Sequence, residues 1–235
     1  MITCLSRGPE PEASVSEIGS IRWLATHVAV LVQGYAIPLL DGWRASSSVV
    51  LARTSVGWHL FDPGINRTAL LRGLAAVGVR PREIATVCLT HYHLDHAYLA
   101  ALFPRASVVD LTFEYRRDRM QEHLGQIADG AIRVLATPGH CPEHCSFFVL
   151  PHTIDDEPVI VAGDVFWWPQ DVPQCVDLDA PDPLATDQAA LVASRRHVLE
   201  VGRGGWIVPG HGAPFRSEGG TVKQPAPPAP PGGFV

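Results

Sequence analysis

The stretch Thr90-His91-Tyr92-His93-Leu94-Asp95-His96 places three histidines and an aspartate within six residues, directly after the apolar run Ala85-Thr86-Val87-Cys88-Leu89. A short apolar run of this kind reads as a buried strand. A strand that ends in ligand-type side chains delivers them to the rim of a sheet, and Ala97-Tyr98-Leu99-Ala100-Ala101-Leu102 reads as the start of a helix. The cluster is therefore expected at a strand-to-helix junction. Alternation along an extended chain puts His91 and His93 on the same side, while Asp95 and His96 follow as the chain turns. Four ligands from one turn can serve two metal ions.

The same grammar recurs along the chain. Apolar runs at 132–137, 159–162 and 206–208 read as strands, and each ends in a ligand type within a glycine-bearing turn: Pro138-Gly139-His140, Gly163-Asp164 and Pro209-Gly210-His211-Gly212. Further strands are expected at 27–32, 106–109 and 145–150, with a hairpin formed by 48–53 and 58–61 across Thr54-Ser55-Val56-Gly57. Asn66 can cap a helix over 67–77 that Gly78 stops, and 187–201 reads as an amphipathic helix stopped by Gly202. Residues 35–46 read as a loop, 113–124 as a polar helix carrying Arg116, Arg117 and Arg119, and 165–186 as a long loop rich in proline and aspartate.

At 235 residues, 46% hydrophobic and 18% charged, the chain can bury a substantial core, and nothing in the apolar pattern demands a second domain. A net charge of -6 supplies no global attraction to nucleic acid or an anionic membrane. The apolar runs are strand-sized, residues 1–20 hold no apolar signal core, and five irregularly spaced cysteines suit free thiols in a reducing compartment, so a cytoplasmic protein is expected. Residues 1–20 and the Pro/Gly-rich 217–235 are expected to form a lead-in and a tail without packed structure, leaving 21–216 as the folded domain. Oligomeric state is not legible.

Five imidazoles (His91, His93, His96, His140, His211) and two carboxylates (Asp95, Asp164), with no clustered thiolates, suit a borderline metal such as zinc, iron(II) or manganese in an open site rather than a closed structural one. Cys141, His144 and Cys145 lie close in sequence but lack the further ligands a separate site needs.

The pattern T-H-x-H-x-D-H followed by a distant His, Asp and His resembles that of the metallo-β-lactamase superfamily, over nearly the whole 21–216 segment and in the same order. The resemblance implies an α/β fold, a four-layer αββα sandwich, and two divalent ions. It implies that His91, His93 and His140 hold the first ion, that Asp95, His96 and His211 hold the second, and that Asp164 bridges them. Two such ions share a hydroxide near neutral pH and polarise an electrophile; Asp95 is the candidate catalytic group that takes or orients a proton of the attacking water. Asp62, in Asp62-Pro63-Gly64, matches an aspartate that supports a metal-bound histidine from behind. Trp167 and Trp168, just after Asp164, are candidates for the substrate floor.

The superfamily's fold alone chooses no substrate. Thioester hydrolases of the glyoxalase II type carry a helical C-terminal domain, whereas the residues after His211 here are mostly Pro- or Gly-rich. Redox members replace a motif histidine by glutamate, and the commonest zinc β-lactamases carry cysteine where this chain has Asp164; neither departure occurs here. The resemblance extends to a branch whose animal members are endoribonucleases, so RNA is the alternative substrate. Asp171, Asp177, Asp179 and Asp182, with no Lys or Arg between Val165 and Ser194, argue against phosphate binding. The expectation is therefore hydrolysis of an ester-like carbonyl, in a lactone, thioester or ester, on a small-molecule substrate.

Overall fold

The computed structural model describes residues 21–153 and 156–217. The expected lead-in at 1–20 and all of the expected tail but Ser217 lie outside the described residues.

The first half of the chain forms β1 (Arg22–Ala25), β2 (Val28–Val32), β3 (Tyr35–Leu39), β4 (Gly42–Ser46), β5 (Val49–Thr54) and β6 (Gly57–Phe61), then α1 (Arg67–Ala76) and β7 (Ile84–Cys88). A short helix α2 (Leu94–Ala97) carries the end of the histidine motif, followed by β8 (Ser107–Val109), β9 (Phe113–Arg116) and β10 (Arg119–Glu122). The second half adds β11 (Gln126–Ile127), β12 (Ile132–Ala136), β13 (Cys145–Val149), β14 (Val159–Trp167), α3 (Gln188–Val201), β15 (Trp206–His211) and β16 (Phe215–Arg216). One sheet runs β1-β2-β5-β6-β7-β8-β9-β10 and a second β11-β12-β13-β14-β15-β16, with β3 and β4 as a separate hairpin.

β2 shows why these sequences make four layers. All five of its residues are buried: Val28 and Val30 face the core between the two sheets, while Ala29 and Leu31 face α1 on the outer side. A strand covered on both faces must be apolar throughout. Across the inter-sheet core Phe61 meets Phe147 at 5.4 Å, and each such fully buried side chain contributes roughly 1.5–3 kcal/mol. On the outer face of the second sheet α3 packs against β14, with Val198 against Ile160 and Ile207. This is the αββα sandwich.

β6, β7 and β8 are mutually parallel, as are β14 and β15. Asp62 and the motif follow the C-terminal ends of β6 and β7, His211 ends β15, and Asp164 sits within the second half of β14 beside it.

Two expectations are corrected. Residues 35–46 are a hairpin, β3–β4, turning through Leu40-Asp41 into Gly42 at φ 154°. Pro38 hides the strand in the sequence, yet in a two-stranded sheet its missing N–H costs no ladder partner. Residues 113–124 are the hairpin β9–β10, turning through Arg117-Asp118 with Arg117 at φ 58°. Polar composition suggests a helix there, but Phe113 and Tyr115 alternate, and Asp110 pins the segment by accepting the N–H of Thr112, the N–H of Phe113 and the Tyr115 hydroxyl. The strand expected at 27–32 is half of a β1–β2 hairpin, and β14 runs on to Trp167, into what reads as loop.

Candidate metal centre

The seven predicted ligands meet at one edge of the sandwich, in two groups whose donor atoms lie within 4.8 Å of one another: His91, His93, His140 and Asp164, and then Asp95, His96 and His211. In the first group His91 Nε2 and His140 Nε2 stand 3.0 and 3.1 Å from His93 Nδ1. In the second, Asp95 Oδ2 lies 3.2 Å from His211 Nε2. Asp164 spans both: Oδ2 is 3.5 Å from His140 Nε2, and Oδ1 is 3.2 Å from His96 Nε2 and 3.7 Å from His211 Nε2.

Four of the five histidines are turned by a partner behind them. His96 Nδ1–H donates to Asp62 Oδ2 at 2.9 Å, His140 Nδ1–H to Asp182 Oδ2 at 2.9 Å, His211 Nδ1–H to the Tyr35 carbonyl at 3.0 Å, and His91 Nδ1–H to Thr90 Oγ1 at 3.0 Å. With each Nδ1 proton committed, each Nε2 lone pair is left facing the site. His93, exposed at the mouth, faces it with Nδ1.

Asp62 holds more than His96. Its carboxylate also accepts the Thr90 N–H at 2.8 Å and the Thr90 hydroxyl at 2.7 Å, so the aspartate of the Asp62-Pro63-Gly64 turn fixes both ends of the motif. The residue is buried at φ 43°, a left-handed conformation that costs a non-glycine residue on the order of 1–2 kcal/mol.

Asp182 is the residue sequence reading assigns to the wrong class. It counts there as surface charge; here it is buried, with Oδ1 accepting the Leu184 N–H and Oδ2 on His140. Buried Arg195 organises its loop by donating to the carbonyls of Val165, Leu178 and Ala180. No local motif signals either residue, because 42 positions separate Asp182 from His140.

His144 is not a ligand. Its Nε2 accepts the Asp164 N–H at 3.1 Å, and its Nδ1–H donates to Thr137 Oγ1 at 2.9 Å. Neutral imidazole is required for that pairing, and burial pushes its pKa down to about 3. Gly163 and Gly210 allow the close approach: a Cβ on Gly163 would lie 2.7 Å from His144 Nε2 and from Thr90 Oγ1, and one on Gly210 would overlap Asp164 Oδ1.

Trp167 and Trp168 part company at the end of β14. Trp167 stands edge-on 6.3 Å from His211 and 6.0 Å from Trp43. Trp168 stacks on Phe166 and meets Phe215, away from the ligands, with its indole N–H on the Cys175 carbonyl. Arg116 lines a concavity of about 860 Å³ shared with His59, Ala85 and Thr86, at the starts of β6 and β7 and hence at the opposite end from the ligands.

The electrostatics fit a cation. His96 Nε2 and Asp164 Oδ1 are buried with no hydrogen-bond partner among the described residues. Burial and the neighbouring His96 hold His91 well below the usual imidazole range; burial and His140 lower His93. Burial opposes a raised pKa at His96 and His211, yet Asp164, joined by Asp62 for His96 and by Asp95 for His211, pushes both up, His211 to about 9. Burial opposes ionisation of Asp164 and Asp95 too, but His96 and His211 outweigh it at Asp164 and His211 and His96 at Asp95, so both carboxyls stay below the usual range. One side of the site thus presents neutral imidazoles and the other draws positive charge, which a metal ion can supply.

Comparison with known proteins agrees. Residues 41–126 match the family model described as the metallo-beta-lactamase superfamily. The chain is 33% identical to the mouse protein named metallo-beta-lactamase domain-containing protein 1, over 84% of this chain and 86% of that one. Among solved structures, a putative metallo-beta-lactamase from Thermotoga maritima shares the fold with a TM-score of 0.59 at 21% identity, covering 81% of this chain and 98% of its own. AidC, a dizinc quorum-quenching lactonase in complex with a product, gives a TM-score of 0.63 at 14% identity, covering 87% of this chain and 95% of that one.

Proposed function

The chain belongs to the metallo-β-lactamase superfamily and is a metal-dependent hydrolase, and from that premise we propose that it binds two divalent ions, zinc in the first instance, and hydrolyses an ester-like carbonyl in a lactone, thioester or ester. The observation that carries this reading is Asp164, whose two carboxylate oxygens face the two separate groups of nitrogens. His91, His93 and His140 would hold the first ion, Asp95, His96 and His211 the second, with Asp164 between them. Ions bound there supply Lewis-acid polarisation of the carbonyl and a water acidic enough to be a nucleophile near neutral pH.

The chain's own residues do the rest. Asp95, ionised at neutral pH and only half-buried, can orient the attacking water and take its proton. Asp62, Asp182, Thr90 and the Tyr35 carbonyl keep the imidazoles turned inward, so no reorientation is needed during turnover. Trp167 offers a flat wall beside His211 for the scissile group.

AidC, named a lactonase, shows that this fold accommodates a carbonyl substrate; the choice between substrates rests on the charge around the ligands. The alternative, phosphodiester cleavage in RNA, lacks cations where phosphates would lie. Around the ligands the segments 35–46, 62–66, 90–99 and 164–186 carry one basic side chain other than histidine, Arg44, while Arg116 sits at the far end.

The test is proton release by the zinc-loaded protein against a panel of lactones, thioesters and esters, with Asp164→Ala as control. Turnover lost in the variant supports the carbonyl reading. No turnover across the panel, with cleavage of labelled single-stranded RNA, overturns it in favour of the nuclease.

A further inference from the structure

We infer that Asp110 is a further positioning carboxylate of the metal centre, acting through the Tyr92 hydroxyl to hold His93 at the first group. This rests on the assignment of two metal groups above.

His93 is the one ligand histidine with nothing behind it. Its Nδ1 faces His91 and His140 across the site, and among the described residues its Nε2 has no hydrogen-bond partner. The main chain gives little help, since no N–H of residues 91–93 finds an acceptor among the described residues. Held by nothing else, an exposed imidazole on such a stretch would have to be ordered by the ion itself, at a cost in side-chain and backbone entropy.

Tyr92 supplies the missing anchor. On the extended stretch that carries His91 and His93 to the site, the side chain between them points the other way, and its hydroxyl donates to Asp110 Oδ2. Asp110 is buried and itself fixed: Oδ1 accepts the N–H groups of Thr112 and Phe113 at 2.7 Å each, and Oδ2 also accepts the Tyr115 hydroxyl at 2.9 Å. The rigid phenol ring carries that fixed position back to the main chain between the two histidines. With its proton committed to Asp110, Tyr92 is a strut and not a donor to substrate.

Sheet register explains why an aspartate stands there. β6, β7 and β8 run parallel, with Phe61, Cys88 and Val109 level across them. Asp62 directly follows Phe61 and Asp110 directly follows Val109, so the two strands flanking β7 each bring a carboxylate to the motif that follows it. Asp62 takes Thr90 and His96; Asp110 takes Tyr92. The motif is thus clamped from both neighbouring strands.

The experiment is calorimetric zinc titration of the metal-free full chain in two backgrounds: His211→Ala, which leaves only the first group complete, and His140→Ala, which leaves only the second. Tyr92→Phe is expected to weaken zinc roughly tenfold in the first background, the lower end of what loss of such a support does elsewhere, and to leave the second unchanged. Tyr115→Phe removes the other phenol from the same carboxylate without touching the motif, and should change neither. Asp110→Asn, whose amide can still hydrogen-bond the Tyr92 oxygen, should keep most of the affinity that Asp110→Ala loses. Unchanged affinity in Tyr92→Phe would overturn the inference. Equal losses in Tyr92→Phe and Tyr115→Phe, or in both backgrounds, would also overturn it, by reducing Asp110 to a general support of the β9–β10 hairpin. With two ions bound by the wild type, each of these results leaves the two-group assignment standing; a single ion bound by the wild type would overturn that assignment whichever way Tyr92→Phe behaves.

Discussion

His96 and His140 sit in different halves of the metal centre, and each is turned to it by a buried carboxylate 2.9 Å from its Nδ1, yet the two supports are built differently. Asp62 stands at the end of a core strand and is clamped by the Thr90 backbone and hydroxyl as well as by His96. Asp182 stands in a segment without regular structure, and its position depends on Arg195 of α3 and on its N–H to Gln188. Only the first support leaves a trace in the sequence, the Asp62-Pro63-Gly64 turn. One histidine is thus held by the fold's interior and the other by a loop, so damage to the first should reach the fold while damage to the second should stay near the site.

Removing Asp62 tests that contrast most strongly. Asp62→Ala leaves the Thr90 and His96 donors buried without an acceptor, and is expected to cost about 3–5 kcal/mol in urea unfolding of the metal-free protein and to abolish binding at the second group. A loss below about 1 kcal/mol would place Asp62 outside the structural core.

Asp182→Ala should act more locally, weakening zinc at the first group by roughly 10–100-fold, as loss of such a support does elsewhere, with a smaller change in unfolding. Asp182→Asn sharpens the comparison, since its carbonyl can still accept from His140 and should restore part of the affinity. Equal affinities for alanine and asparagine would show that charge, not orientation, is what Asp182 supplies.

Arg195→Met removes the donors to three carbonyls without touching a ligand. The expected cost is about 1–3 kcal/mol of stability, with zinc affinity reduced less than in Asp182→Ala because Leu184 and Gln188 still hold Asp182. Calorimetric titration with zinc separates the two variants.

A buried histidine with no carboxylate behind it gives an effect confined to acid pH and without consequence for metal affinity. His59 Nε2 meets Thr54 Oγ1 while Nδ1 has no partner among the described residues, and burial lowers its pKa from 6.5 to about 4. The unfolded chain therefore binds a proton that the folded one refuses. This stabilisation is present above pH 6.5 and is lost as pH falls toward 4, by at most about 3 kcal/mol. Stability of wild type minus that of His59→Phe should fall over that window; a flat difference would show that His59 protonates freely when folded.

That the seven candidate side chains would meet was legible because most of them follow a short apolar strand, in turns whose glycine or histidine neighbours are constrained locally. Gly163 and Gly210, for instance, report close packing around Asp164 that no side chain tolerates. The hairpins at 35–46 and 113–124 were not legible. Pro38 and a polar composition mask their alternation; the first is anchored by a distant contact, Tyr35 with His211, and the second by the side chain of Asp110 just before it, which no helix or strand periodicity reveals. Asp182 and His144 were misjudged or left open for the same reason: their roles lie in partners 42 and 20 residues away. Trp167 is the last residue of β14 and Trp168 the first beyond it, so telling their directions apart needs the strand's true end, which the sequence does not mark.

The most direct measurement is zinc stoichiometry by mass spectrometry of dialysed wild-type protein and of Asp164→Ala. Two ions per chain in the wild type, falling to one or none in the variant, is the result expected of a carboxylate shared between two groups of nitrogens. A single ion per chain in the wild type, or two retained without Asp164, would contradict the dinuclear account.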